Sequence, residues 1–548
     1  MAFDIALSED RKNAMTAAGL WPNRLLTDYF DAVARRHPER IAIVSASGET
    51  GGATRLSYAE LARNVDSIAL GLAGLGVRRG DVISFQLPSW WQFCATYLAC
   101  VRIGAVANPL IPIFRQRELR FMLNFAESRV VIAPKRFRDF DYGDMLVALK
   151  PDIPALRHVL LTGGEGETSF ENVLLQRAPN ADIDPQQLFR ERRMDPHELT
   201  ELMYTSGTSG QPKGVMHISN ALLGAALSFI DCVKLTPDDV VFMPSPLGHQ
   251  TGFVYGMMIS IILGTKLVLL DAWNPSLAGR LIRSEGATYT FASTPFLADL
   301  VDAPDLDREI LGSLRLFVCA GAPIPSVLVQ RATERYGFSV LSGWGMTEVG
   351  CATIARPGDP AEKIVGTDGK AIAGMEVRIV DAEHKVRPAG EIGFLQARGP
   401  AMFVGYLKKP ELNSIDADGW LDTGDLARMD ADGYIRITGR SKDVIIRGGE
   451  NIPVVEIEGV LCRHDKIRDI ALVAMPDPRL GERACAFVVP HPGQTISFAE
   501  MADFLEKSGV ANPYWPERLE VVETMPRTPS GKIQKFILRE MAAKLRFP

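Results

Sequence analysis

Ten residues, Thr205-Ser206-Gly207-Thr208-Ser209-Gly210-Gln211-Pro212-Lys213-Gly214, bring together four hydroxyls, three glycines and a lysine. A loop of this kind wraps anionic oxygens with backbone N–H groups and hydroxyls while the lysine adds charge, so a triphosphate is its natural guest. The spacing is G-x-x-G-x-x-K-G with no Ser or Thr after Lys213 to hold a metal, which separates it from a Walker A loop. Ser209 is followed directly by Gly210, so a G-x-S-x-G nucleophile elbow is absent too. The preceding Leu202-Met203-Tyr204 reads as the end of a strand.

Other segments hold groups that suit a nucleotide. Trp344 offers a flat face for an adenine, and Gly321 and Ala322 are small enough to let backbone approach the base. Thr347-Glu348 presents a hydroxyl and a carboxylate together, a phosphate contact beside an oxygen ligand for a nucleotide-bound Mg²⁺. In Asp422-Thr423-Gly424-Asp425, Asp425 can accept from both hydroxyls of a ribose, whereas Asp422 reads as a turn residue. Arg440 is planar and always charged. Lys532, in Ser530-Gly531-Lys532-Ile533, sits in a loop after a strand near 519–522, from which a long side chain could reach a cleft, although on its own it reads as a solvated surface lysine.

These segments, in this order, resemble the adenylate-forming superfamily of acyl-CoA synthetases, luciferases and peptide-synthetase adenylation domains. The phosphate loop is followed by Gly321-Ala322-Pro323, Gly343-Trp344-Gly345-Met346-Thr347-Glu348, Thr423-Gly424-Asp425, Gly439-Arg440-Ser441-Lys442-Asp443, Gly448-Gly449-Glu450 and Pro526-Arg-Thr-Pro-Ser-Gly531-Lys532, so the likeness spans nearly the whole chain. It implies that ATP and a carboxylate give acyl-AMP and pyrophosphate, and that coenzyme A then takes the acyl group with release of AMP. Thr205 to Gly210, Lys213, Gly321 to Pro323, Trp344 to Thr347, Asp425 and Arg440 would hold the nucleotide, and Glu348 its Mg²⁺. Lys532 would neutralise charge building between the carboxylate and the α-phosphate, which is electrostatic rather than acid–base catalysis. Lys442 matches the hinge position of the family, and the Gly448-Gly449-Glu450 loop the wall of a tunnel for the pantetheine thiol. The Lys532 motif also resembles sites where an acetyltransferase and a deacetylase remove and restore the lysine charge.

Amino-acid-activating relatives hold the substrate ammonium with an Asp shortly after the aromatic of their fourth core motif. Here Pro246-Leu247-Gly248-His249-Gln250-Thr251-Gly252-Phe253 contains no acid, so an uncharged acyl chain is favoured. His249 resembles a gating residue, and Phe253, Gly256, Gly321, Thr294, Pro295, Phe296 and Met346 are expected pocket walls. Within the superfamily the chain looks closest to bacterial cyclohexanecarboxylate-CoA ligases and their short- and medium-chain acyl-CoA synthetase neighbours, implying a small alicyclic or aromatic acid. A luciferase-like adenylating oxygenase and a non-enzymatic nucleotide-binding protein are the rival classes.

The elements that must position these groups follow an α/β rhythm. β-Branched runs at 82–85, 130–132 and 266–270 alternate with helical patterns such as 58–75, which predicts parallel strands covered on both faces. The expected fold is α/β: a large N-terminal domain of layered α/β sheets plus a distorted β-barrel, with a small mobile α+β C-terminal domain. Asp430-Ala-Asp432-Gly433 marks a hairpin turn that closes the large region. The expected division is 1–439 for ATP and acyl binding, 440–443 as hinge and 444–548 as the mobile domain. With 548 residues, 60 basic and 66 acidic side chains, the net charge of −6 offers no field for a nucleic acid backbone. Seven scattered cysteines without a C-x-x-C pair suggest neither a disulfide framework nor a zinc cluster. Acids near the start and an apolar stretch at 253–270 shorter than the roughly 20 residues of a membrane span point to a cytoplasmic protein without stable membrane insertion.

Overall fold

The computed structural model describes residues 3–176, 184–205, 212–321, 324–441, 443–447, 450–528 and 531–545. Two large sheets frame the site. The first has six strands, in the order Lys213–Ile218, Leu199–Thr205, Val106–Pro109, Val82–Phe85, Val130–Pro134 and His158–Thr162. All neighbours are parallel except the first pair, which is antiparallel. The second has nine strands and is parallel from Ser339–Met346 across to Ile41–Ala46, with antiparallel strands at both edges.

The expected elements form for identifiable reasons. The helix Tyr58–Gly74 starts at Ser57, whose hydroxyl accepts from Glu60 N while the Glu60 carboxylate accepts from Ser57 N. The apolar stretch 253–270 divides into a wide-turn segment Phe253–Met258, a helix Ile259–Leu263 and the buried strand Leu267–Leu270. That segment, with the helices Trp91–Arg102 and Ser219–Val233, joins both sheets in the largest core. Phe253 sits there in edge contact with Tyr97 at 4.7 Å and Phe93 at 6.4 Å. Fully burying each such side chain contributes about 1.5–3 kcal/mol.

A four-stranded antiparallel sheet, Glu376–Val380, Ile392–Arg398, Leu421–Met429 and Ile435–Arg440, stands where the barrel was expected. The turn between its last two strands is held by Asp430, whose Oδ1 accepts from Asp432 N and Tyr434 N. Its last strand ends on Arg440. Beyond it, the strands Ile467–Asp477 and Gly481–Pro490 form a long antiparallel pair, and Arg518–Val521 pairs in parallel with the second of them. The helix Phe498–Lys507 begins with the same Ser–Glu capping box, from Ser497 and Glu500. Among the described residues no helix is long and apolar enough to cross a membrane, and no cysteine is paired.

Candidate active site

The six-stranded sheet brings the ends of the phosphate loop together. Thr205 closes its strand and pairs directly with Lys213 on the antiparallel neighbour, so the connecting residues must leave and re-enter at one point of the sheet edge. Ser206, Gly207, Thr208, Ser209 and Gly210 lie outside the described residues, as do Ala322, Pro323, Lys442, Gly448 and Gly449.

Lys213 places its Nζ 4.7 Å from the ring centre of Tyr406. The Tyr406 hydroxyl donates to Glu348 Oε1 at 2.7 Å, and the Glu348 carbonyl accepts from Phe403 N at 2.8 Å. Glu348 is buried and Tyr406 takes Oε1, so a cation would bind through Oε2. Among the described residues no three His, Cys, Asp or Glu gather as a metal cage. The donor set, one buried carboxylate, fits a Mg²⁺ that keeps waters and phosphate oxygens as its other ligands. Tyr406 carries no motif of its own in the sequence reading, because its partner lies 58 residues away.

The strand Ser339–Met346 carries the next group. At Gly345 an added Cβ would fall 2.1 Å from the Gly350 carbonyl oxygen, so this crossing of two backbones requires glycine. Trp344 is 7% exposed, and its Nε1–H donates to Asp425 Oδ2 at 2.8 Å. The expected open stacking face is therefore largely covered, because the indole is turned toward the carboxylate it serves. Asp425 faces Arg440 directly across the antiparallel ladder, with Arg440 Nε 2.9 Å from Asp425 Oδ1. Each oxygen of Asp425 thus has one protein donor, and ribose hydroxyls would use the remaining lone pairs. Asp422 is exposed and accepts from Gly424 N, as a turn residue does.

Lys532 comes to this group from the small domain. Its backbone N–H donates to Thr528 Oγ1 at 3.0 Å, its carbonyl accepts from Thr528 N at 2.7 Å, and Arg527 donates to the Gly531 carbonyl. Gly531 has φ +85°, and a Cβ there would lie 3.1 Å from Pro295 and 3.2 Å from Ser293 Oγ of the large domain. Burial pushes the Lys532 ammonium down to about 8; the Arg440 charge adds to this, and Asp425 and Asp443 oppose it. His249 is held down to about 4 by burial and then by the Lys532 charge. Its Nδ1 accepts from Thr251 N at 3.2 Å, so a neutral ring carries its proton on Nε2. The structure thus gathers Lys532, Arg440, Asp425 and His249, residues spread from 249 to 532, at one cleft between the domains.

Of the expected pocket walls, His249, Thr294, Pro295, Phe296 and Met346 are partly open, and Gly321 is exposed at φ +89°. Phe253 and Gly256 belong to the core: Phe253 is fully buried, and a Cβ on Gly256 would meet Met243 at 2.7 Å.

Comparison with known proteins accounts for both domains. Residues 30–407 match the AMP-binding enzyme family, and residues 456–532 match the AMP-binding enzyme C-terminal domain. A medium-chain fatty-acid–CoA ligase of Escherichia coli (strain K12) is 37% identical over 547 residues, covering 98% of this chain and 94% of the relative. A 2-hydroxy-7-methoxy-5-methyl-1-naphthoate–CoA ligase of Streptomyces carzinostaticus is 31% identical over 543 residues, 97% of this chain and 95% of the relative. Among solved structures, the anthranilate CoA ligase AuaEII in complex with anthranoyl-AMP superposes with a TM-score of 0.85 at 25% identity, over 95% of this chain and 97% of that one. With a matching family model over most of its length and relatives spanning both domains, the chain belongs to the AMP-binding enzymes, the AMP-forming acyl- and aryl-CoA ligases of the adenylate-forming superfamily.

Proposed function

We propose that the enzyme activates a small alicyclic or aromatic carboxylic acid in two steps. In the first, a carboxylate oxygen attacks the α-phosphorus of ATP, the bond from that phosphorus to the α,β-bridging oxygen breaks and pyrophosphate leaves. In the second, the sulfur of coenzyme A attacks the acyl carbon and AMP leaves. The observation that carries this reading is the convergence of Lys532, Arg440 and Asp425 on one cleft, with the neutral His249 beside them. Attack by one anion on another needs charge neutralised along the line of approach, and a half-buried ammonium does that without moving a proton. Thr205 and Lys213, with the loop between them, hold the pyrophosphate end, and Asp425 with Arg440 the ribose.

Glu348, oriented by Tyr406, would hold Mg²⁺, which would draw charge from the leaving pyrophosphate. For the second step the small domain rotates about 440–443, withdrawing Lys532 and bringing Gly448-Gly449 to the acyl end, with Lys442 at the pivot. Acetylation of Lys532 would remove the charge the first step needs, an on–off control by an acetyltransferase and a deacetylase. A cytoplasmic location suits a chain whose cysteines are all free among the described residues.

The turn 246–253 has no acid to pair with an ammonium, and the partly open walls Pro295, Phe296 and Met346 are apolar, which favours an uncharged compact acyl group. A second reading, a medium-chain fatty acid, is favoured by the E. coli relative. Pyrophosphate release measured over a panel of acids, with and without coenzyme A, separates the two. Cyclohexanecarboxylate or benzoate should exceed octanoate in kcat/KM; a clear preference for octanoate establishes the second reading, and one for acetate or a C16 acid sinks both.

A further inference from the structure

The segment before residue 22 has no role in the mechanism above, yet it is fastened to the loop that carries Tyr406. Phe3, Ile5 and Leu7 are partly buried and alternate with exposed Asp4, Ala6 and Ser8, so this extended stretch turns one apolar edge inward. That edge shares a core with Met216 and Ile218 of the strand leaving the phosphate loop, and with Val404 and Leu407. Ser8 then caps the helix Glu9–Ala17, its Oγ accepting from Arg11 N at 3.2 Å. Trp21, buried in the same core, closes this N-terminal strap.

The hydrogen bonds are more specific than the packing. Residues 400–407 run as an irregular loop, so their peptide groups must find partners outside a regular ladder. Four of the carbonyls find donors on the strap: Pro400 O accepts from Trp21 Nε1 at 2.9 Å, Met402 O and Phe403 O from the two terminal nitrogens of Arg11 at 2.6 and 3.1 Å, and Val404 O from Ala6 N at 2.7 Å. The amides of the loop serve the site instead. Phe403 N donates to Glu348 O at 2.8 Å, Val404 N to Met216 O at 2.9 Å and Leu407 N to Gly214 O at 2.8 Å, while the Tyr406 hydroxyl donates to Glu348 Oε1.

Arg11 has the central place in this arrangement. Met402 O and Phe403 N belong to one planar peptide, and Phe403 O and Val404 N to the next. Each nitrogen of the Arg11 fork therefore fixes one plane, the first of which faces Glu348 and the second Met216. The guanidinium is itself held over the Trp21 ring, 5.3 Å from its centre. Burial lowers its pKa to about 10, so it stays charged at pH 7. A lysine here would keep the charge and lose the fork.

We propose that Arg11 is a positioning residue for the ATP-dependent half of the reaction: through two rigid peptides it sets the Glu348 carboxylate and the strand that leaves the phosphate loop. This rests on the reading of Glu348 as the Mg²⁺ ligand. Mn²⁺ titrated into ATP-loaded protein without acid, followed by paramagnetic resonance, reads the site without turnover. Arg11→Met should weaken Mn²⁺ binding at least about fivefold and raise the Mg²⁺ concentration for half-maximal pyrophosphate exchange to the same extent. KM for the acid and thioester formation from supplied acyl-AMP should be unchanged, and Arg11→Lys should recover part of the loss. Combined with Tyr406→Phe, the effect of Arg11→Met should fall well short of multiplying, because both act on one carboxylate. Thermal melting identifies a variant that fails to fold, and Arg11→Lys then carries the comparison. If Glu348→Gln weakens Mn²⁺ binding but folded Arg11→Met does not, if the double variant shows the full product, or if both half-reactions fall equally, the proposal is overturned. Mn²⁺ binding unchanged in Glu348→Gln overturns the metal reading beneath it, and the proposal with it.

Discussion

Lys532 links the structure to a measurable pH dependence. Its ammonium titrates at about 8 rather than 10.5, because the loop buries it and Arg440 repels its charge. With Lys532 in its proposed role as a cation, the first half-reaction should run at low pH and fall as pH rises through about 8. Between pH 7 and 9 the protonated share drops from about nine-tenths to about one-tenth, and kcat/KM for acid-dependent ATP–pyrophosphate exchange, which reports the free enzyme, should fall roughly tenfold. Lys532→Arg keeps a charge over the whole range and should abolish the alkaline fall while lowering the rate itself. Arg440→Gln removes the repelling charge and should move the midpoint upward. Between about 8 and 10.5 the unfolded chain holds a proton that folded Lys532 has released, so this group's own contribution to stability rises with pH. Thermal melting across the same range therefore separates lost chemistry from lost fold. An exchange rate flat to pH 9, or an alkaline limb that survives in Lys532→Arg, refutes the reasoning.

Tyr406→Phe removes one hydrogen bond to Glu348 and keeps the ring under Lys213. The loss of about 1 kcal/mol should raise the Mg²⁺ concentration for half-maximal exchange roughly fivefold, and weaken Mn²⁺ binding to the ATP-loaded protein by paramagnetic resonance to the same extent. Gly531→Ala forces a side chain into φ +85° against Pro295 and Ser293, so pyrophosphate exchange should drop at least about tenfold while thioester formation from supplied acyl-AMP is spared. Lys532→Ala should show the same asymmetry, and Gly449→Leu the reverse; equal loss of both half-reactions in either would break the division of labour.

What the sequence reveals and what it conceals divide along one physical line. Local signals were enough for the Ser57–Glu60 and Ser497–Glu500 helix starts, the Asp430 turn and the strand before the Lys532 loop, since each depends on residues within a few positions of one another. The resemblance of the motifs to the adenylate-forming superfamily is what nominates Asp425, Arg440 and Lys532. It could not show that Trp344 turns its N–H onto Asp425, that Tyr406 holds Glu348, or that Glu201 meets His217, because these pairs are made by sheet order and register between distant segments. Phe253 is undecided in the sequence for a similar reason: an aromatic after a glycine suits a pocket wall or a core, and only the contacts with the Tyr97 and Phe93 rings place it in the core.

The proposed two-step reaction would ask one small domain to present different loops to one cleft, and the packing suits that. The two cores of the small domain are built from residues 445–519 and 471–545, so neither shares a side chain with the large domain. Re-docking therefore breaks surface contacts and leaves each core intact. The contacts that hold Lys532 in place are of that surface kind: Gly531 packs on Pro295 and Ser293, and Arg468 and Arg527 lie near Asp299. Asp299 also accepts from Trp273 Nε1 at 2.7 Å, and Arg527 is tied within its own domain to Asp469, so these two each keep a bond when the domains part. Neither charge is stranded by separation, which removes the main electrostatic cost of leaving the adenylating arrangement. The proposed rotation about 440–443 thus needs only a bias from bound ligands, and the fall in negative charge on the α-phosphate and carboxylate once acyl-AMP has formed and pyrophosphate has left would supply it.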